Sequence, residues 1–276
     1  MFDWKRIPLA ALLGLSISAA FALTAVFAPW LAPFGPGEVV GDVWAPMSAT
    51  HWMGTDNLGR DLLSRMIHGT RVTLTIAGLA TALSFVLGSV LGFMAAEAGG
   101  WLDQVLSRSV DLLMAVPTLI FALVVLSVFP STMTVLILVM GILDATRVFR
   151  LSRAVAADIN VMDYVEAAKL RGEGSRWIIF SEILPNALTP LISELGLRFI
   201  FAVLFLSSLS FLGLGVQPPD ADWGSLVKEN KDGIVFGVPA ALIPAAAIAV
   251  LTISVNLVAD WVLHRTADLK GGRGHA

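Results

Sequence analysis

Four long stretches of the chain carry no charged side chain: residues 7–37, 72–96, 112–143 and 233–259. A fifth, 195–219, carries only Arg198. In water such runs would have to be buried whole. In a bilayer each is the right size, because a ~30 Å hydrocarbon core takes about 20 apolar residues wound as a helix, and only a helix or a closed barrel satisfies its own backbone there. Composition agrees. The chain is 57% hydrophobic and 14% charged, with a mean hydropathy of +0.81, whereas charged residues make up about a quarter of a soluble domain. With 276 residues, spans of this kind leave no length for a large soluble catalytic domain. A net charge of -3 without a long basic block points away from nucleic acid or an acidic lipid surface as the main partner. The absence of cysteine excludes disulfides, thiolate metal sites and a cysteine nucleophile.

The first run follows Lys5 and Arg6. It is longer than the ~7–15 residue apolar core of a signal peptide, so a retained anchor with its N-terminus inside is expected. The 112–143 run is long for one helix and short for two, but Pro130-Ser131-Thr132 near its middle is a turn signal. Topology decides between them. A single helix would place Arg147, Arg150, Arg153, Lys169, Arg171 and Arg176 outside, against the positive-inside rule, and a hairpin places them inside. The sequence therefore predicts an all-α membrane protein of six transmembrane helices forming a single domain over 1–276. The spans fall near 7–29, 72–95, 107–129, 132–146, 189–213 and 238–263, with both termini cytoplasmic. Arg198 inside the fifth span has an i,i+4 partner in Glu194.

Three stretches are too polar to cross. The outer segment 34–71 ends in GTDNLGRDLLSRMIHGTR, where Leu58, Leu62 and Met66 alternate with charge as in a short amphipathic helix at the interface. A second outer loop, 214–237, holds Pro218-Pro219 and Trp223. Each either contacts a partner outside or merely connects helices. The inner segment 147–187 is far longer than a usual helix connection and reads as helix, break, helix. Gly172 and Gly174 end the first helix, and Pro185 stops a second that begins at Ser175. Such a pair, with small Ala167 and Ala168 between Glu166 and Lys169, suits a docking knob.

That pattern, Glu166-Ala167-Ala168, then Gly172, then Ile183-Leu184-Pro185, resembles the EAA loop of the integral-membrane permease subunits of ABC importers. With Asn186-Ala187 following, it is most similar to the branch importing dipeptides, oligopeptides and nickel. His51–Thr75, Asp111–Leu123 and Leu209–Gly224 resemble other parts of that branch in the same order, and the whole resembles the second, C-type permease of a pair. Two departures stand out: Glu182 occupies a position often held by Ile, and no aromatic residue precedes Arg147 near Asp144-Ala145-Thr146. The resemblance implies a complex in the cell membrane of a prokaryote. Its parts would be a heterodimer with a second permease, two cytoplasmic ATPase subunits that bind ATP and Mg, and an extracytoplasmic solute-binding protein. This chain itself would hold no cofactor. Glu166, Ala167, Ala168 and Gly172 would form the ATPase-coupling contact, and Ile183, Leu184 and Pro185 the return to the membrane. Peptides or a related small solute, such as a nickel complex, would be moved by alternating access.

The chain carries no phosphate-binding loop of the GxxxxGK[ST] type, so a non-catalytic subunit driven by its partners is expected. Ser207, Ser208 and Ser210, with Asn256, are the polar groups expected to face a wet pathway, although hydroxyl residues in membrane helices more often serve packing. A secondary transporter or channel is the alternative, but it would be expected to carry mid-membrane ionisable groups or inverted repeats. A membrane-embedded hydrolase would need a metal or Ser/His cluster within the bilayer. His51, His68, His264 and His275 lie outside or at span ends, and no metal site is expected.

Overall fold

A computed structural model describes residues 8–271 and side chains through 265. Lys5, Arg6, Arg273 and His275, which bear on the expected termini, lie outside the described residues, as does the side chain of Lys270. The chain is helical, and among the described residues the only extended pairings are two isolated bridges, Val39 with Arg60 and Thr55 with Asp61.

Helix α1 (Leu9–Leu31) is followed by the outer segment, and α2 (Leu62–Ala98) begins where Asp61 accepts from the Ser64 amide at 2.8 Å. The separate interfacial helix expected near residues 58–66 is not formed. Asp61 caps a single 37-residue helix, so residues 62–71 are the first turns of α2. The expected third span is broken into α3 (Gly100–Ala115) and α4 (Thr118–Val128), which meet at 85°. Pro117 is the cause. The residue before a proline is driven from helical to extended backbone, and Val116 has φ -92° and ψ 132°. The hairpin turn lies where Pro130 placed it, with Thr132 capping α5 (Met133–Asn160). Helix α5 continues well past the apolar stretch, so Arg147, Arg150 and Arg153 extend a helix and are not part of a loop.

After α6 (Asp163–Leu170) the chain resumes helix at α7 (Ser175–Trp177), passes through a π-helical turn at Ile178–Ile183 and enters α8 (Leu184–Phe211). Pro185 therefore does not stop the helix. It sits in the first turn of α8, and the preceding turn is widened so that the Leu184 amide donates to Ile179 O, five residues back. Widening of this kind accommodates an irregular i→i−4 ladder. Helix α9 (Trp223–Asn230) and a 3₁₀ stretch lead to α10 (Leu242–Gly271).

Four helical stretches are long and apolar enough to cross a bilayer: Leu9–Leu31, Leu62–Ala98, Ser175–Phe211 and Pro239–Arg265. The bent α3–α4 pair is a fifth if it counts as one. Helix α5 falls outside that set because its second half is charged, yet it packs along α2. Gly88 and Gly92 make this close approach possible. A methyl group on Gly88 would lie 2.6 Å from Val148 Cβ, and one on Gly92 2.8 Å from Ser152 Cβ. Small residues four apart let helices in lipid touch backbone to backbone.

Candidate functional site

The inner segment folds as one small structure around its own core. Val165 of α6 is buried with Ile178, Ile183, Ala187 and Leu191, against Phe93 of α2 and Ala156 and Ile159 of α5, and Ala168 of α6 is buried as well. Helix α6 ends in a full Schellman motif: Gly172 N donates to Lys169 O at 3.0 Å and Glu173 N to Ala168 O at 3.2 Å. Gly172 has φ +82°, a left-handed conformation that disfavours any side chain. Lys169 Nζ reaches Asn160 Oδ1 at 2.8 Å, and Asn160 Nδ2 reaches Ala96 O at 3.2 Å, so the turn is tied to the ends of α5 and α2.

Ile183 and Leu184 join the core on which Val165 of α6 packs, Glu166, Ala167, Ala168 and Gly172 lie on α6 and the turn that ends it, and the two alanines face opposite ways. Ala168 is buried in the chain's own core, while Glu166 and Ala167 are exposed. Only one alanine is offered outward, and it stands beside exposed Val161, Tyr164 and Leu170. Pro185 is exposed.

The serines of α8 sit differently. Ser207 and Ser208 donate to Val203 O and Leu204 O at 2.8 Å each, within their own helix. They line an open hollow with Leu204, Phe211, Gly224 and Ala245. Ser210 is buried. Asn256 is exposed on α10 with its amide 3.5 Å from Asp260, and it does not line the serine hollow. These four residues do not form one site.

At the other end the two outer segments lock together. Arg60 pairs with Asp56 at 2.7 Å and with Glu229 at 2.6 Å, and Arg65 pairs with the same two carboxylates. Asn230 accepts from the Asn57 amide at 3.0 Å and from Trp44 Nε1 at 3.3 Å. Fully buried Trp223 donates from its ring to Met66 O and from its backbone to Thr73 Oγ1. His51 bonds Asp61 at 2.9 Å. Asp222 caps α9, accepting from the Gly224 and Ser225 amides, and is itself buried. Burial pushes its carboxyl above the usual range, outweighing the amides that favour the anion.

The expected Arg198–Glu194 pair is formed at 2.7 Å, and Arg198 also reaches Asp144 of α5 at 3.4 Å. Asp144 accepts from Ser84 of α2 at 3.2 Å. Asp144 thus joins residues of two other helices, a partnership invisible in linear order.

The family model described as "Binding-protein-dependent transport system inner membrane component" matches residues 88–268. The chain is 34% identical over 258 residues to the di/tripeptide transport system permease protein DppC of Pseudomonas aeruginosa, covering 91% of this chain and 85% of that one. It is 32% identical over 213 residues to the glutathione transport system permease protein GsiD of Pectobacterium atrosepticum, covering 77% and 71%. Among solved structures, an inward-facing form of the MetNI methionine ABC transporter has a similar fold. The TM-score is 0.59 at 17% identity, over 74% of this chain and 97% of that one.

Proposed function

Since the chain belongs to the family of binding-protein-dependent transport system inner membrane components, we propose that it forms half of the translocation path of an ATP-driven importer of short peptides, paired with a second permease. Six spans with both termini cytoplasmic are part of this reading: α1, α2, the bent α3–α4 pair, α5, α7–α8 as one, and α10. The peptide assignment rests on relatives whose names specify dipeptides, tripeptides and glutathione.

One observation carries the coupling assignment: an exposed face of α6, with Glu166 and Ala167 outward, on a helix whose Val165 is set in a closed core and whose Ala168 is buried. In this reading that face docks on a cytoplasmic ATPase subunit, which binds ATP and Mg. Closure of two such subunits moves α6, and through Ile183, Leu184 and Pro185 the motion reaches α8. Packed helices with discrete arrangements transmit a bias of this kind. Solute arrives from an extracytoplasmic binding protein at the face built by the two outer segments. Ser207, Ser208, Ser210 and Asn256 belong to the pathway reading only as secondary candidates, since the Ser207 and Ser208 hydroxyls bond within their own helix, Ser210 is buried and the Asn256 amide lies against Asp260.

The test is dipeptide uptake and peptide-stimulated ATP hydrolysis by the complete complex in vesicles. Glu166→Arg is expected to insert and assemble with the second permease while losing both activities. Near-normal uptake by this variant refutes the coupling role.

A further inference from the structure

Asp144 is the twelfth residue of the 28 in α5, and Arg198 the fifteenth of the 28 in α8. Both lie near the middle of helices assigned here as spans. With a rise of ~1.5 Å per residue, Asp144 is about 17 Å from the Met133 end of α5, at hydrocarbon depth. Charge at that depth is costly unless it is paired or faces water. Glu194 and Arg198 are paired, but Asp144 is only 3.4 Å from the Arg198 guanidinium, and Arg147 has no carboxylate within 4.0 Å among the described residues.

Arg147 is exposed, and its guanidinium instead lies 5.8 Å from the centre of the Phe201 ring. The Arg198 guanidinium lies 5.2 Å from the same ring. Arg147 and Phe201 open onto a cavity of about 150 Å³ whose wall also includes Thr81, Thr118, Asp144 and Phe205. Complete ligand pockets run to ~300–1,000 Å³, so this volume suits one wall of a path whose other wall belongs to a second subunit.

We infer that this cavity is a water-filled part of the translocation path that receives the charged ends of a zwitterionic solute, with Arg147 turned toward a carboxylate and Asp144 toward an ammonium group. The two charges of the wall, Asp144 and Arg147, cancel formally, as do those of the Arg198–Glu194 pair beside Asp144, so the wall attracts neither a free anion nor a free cation strongly. It does offer an unpaired guanidinium and a partly engaged carboxylate side by side. A peptide with free termini carries that same pair of charges. The inference rests on the importer reading and specifies where in the path its substrate is met.

Because the chain has no cysteine, single cysteines report cleanly in the assembled complex once partner thiols are blocked. Thr118→Cys and Phe205→Cys are expected to react with a membrane-impermeant cationic methanethiosulfonate, scored as a mass shift on this chain. Leu12→Cys on α1, 51% exposed, is expected to stay unmodified. In uptake assays Arg147→Gln is expected to raise KM for a dipeptide with free termini by about tenfold, the loss of one charge-assisted bond. It should change KM little for the same dipeptide amidated at its C-terminus. Either protection of both cysteines or an unchanged KM in Arg147→Gln overturns the inference. Failure of the importer reading is distinguishable, because then the unmodified complex takes up no dipeptide.

Discussion

Arg65 and Glu229, 164 residues apart in sequence, share a hydrogen bond beneath the outer surface, and the same Arg65 nitrogen holds Asp56 at 2.7 Å. Arg65 stands in the first turn of α2 and Glu229 on α9, so the bond joins the helix after the first outer segment to the helix of the second. With the Trp223 ring bonded to Met66 O, the two segments form one cap held by paired and largely buried charges.

Removing the arginine is therefore expected to cost more than removing the glutamate. Arg65→Met leaves the Asp56 carboxylate, 0% exposed, with one cation fewer in a dry site. Breaking a buried pair from one side costs about 3–5 kcal/mol. Glu229, whose side chain is 19% exposed, can be replaced by Gln with a smaller loss because water reaches it. Thermal unfolding of the purified complex should rank Arg65→Met well below Glu229→Gln. Equal melting temperatures for the two would show that the cap does not depend on this cation.

The outer helices show what linear order reveals and conceals. The turn signal at Pro130 separates α4 from α5, and Gly172 and Gly174 mark the end of α6. The bend at Pro117 was equally available, since a proline inside an apolar run is a helix-breaking signal. It was overshadowed by the length of the run. Pro185 misled for the opposite reason, because a π turn absorbs it. The partnership of Asp144 with Ser84 and Arg198, and of Arg65 with Glu229, joins residues on different helices, where no periodicity along the chain carries the information. The opposed directions of Ala167 and Ala168 follow from the core formed by Val165 and Ile183, which exists only once α6 is folded back.

The contact between α2 and α5 offers a second test. At Gly92 an added methyl meets Phe149 O and Ser152 Cβ at 2.8 Å, and at Gly88 it meets Ala145 O at 2.7 Å. These neighbours are backbone or the first side-chain carbon, so neither can rotate away. Gly92→Val is expected to destabilise the chain by several kcal/mol through overpacking, at the upper end of or beyond the ~1–3 kcal/mol usual for such changes. At Gly78, where an added carbon meets nothing within 4 Å, Ala should be neutral or better. Yield and melting temperature in detergent of the two variants decide the matter.

The turn after α6 separates backbone effects from contacts. Gly172 and Gly174 are both exposed, and a carbon added to either meets nothing within 4 Å. Their backbones differ: Gly172 has φ +82° and Gly174 has φ -81°. Alanine at 172 therefore strains the Schellman motif by about 1 kcal/mol, while alanine at 174 is tolerated. If α6 docks on an ATPase as proposed, Gly172→Ala should lower peptide-stimulated ATP hydrolysis with uptake falling in step, and Gly174→Ala should leave both near the unmodified level. Identical rates for the two variants would show that the orientation of α6 does not matter to coupling.

Asp222 links the cap to pH. Its carboxyl is buried and its pKa lies above the ordinary value of 3.8, chiefly through loss of hydration. A carboxyl with a raised native pKa binds its proton more tightly folded than unfolded, so its contribution to stability is greatest below the unfolded value. That contribution falls as pH rises through the native one, leaving a fixed penalty at neutral pH. Asparagine accepts the same amide bonds at an N-cap and carries no charge. Asp222→Asn is thus expected to match or exceed the unmodified chain in melting temperature at pH 7 and to lose that advantage near pH 4. Asp222→Ala removes the acceptor for the Gly224 and Ser225 amides and should cost about 1 kcal/mol at either pH. Melting curves of the three proteins at both pH values test the sign directly. An Asn variant less stable than the unmodified chain at pH 7 would mean that the ionised carboxylate is favoured at the start of α9 despite its burial.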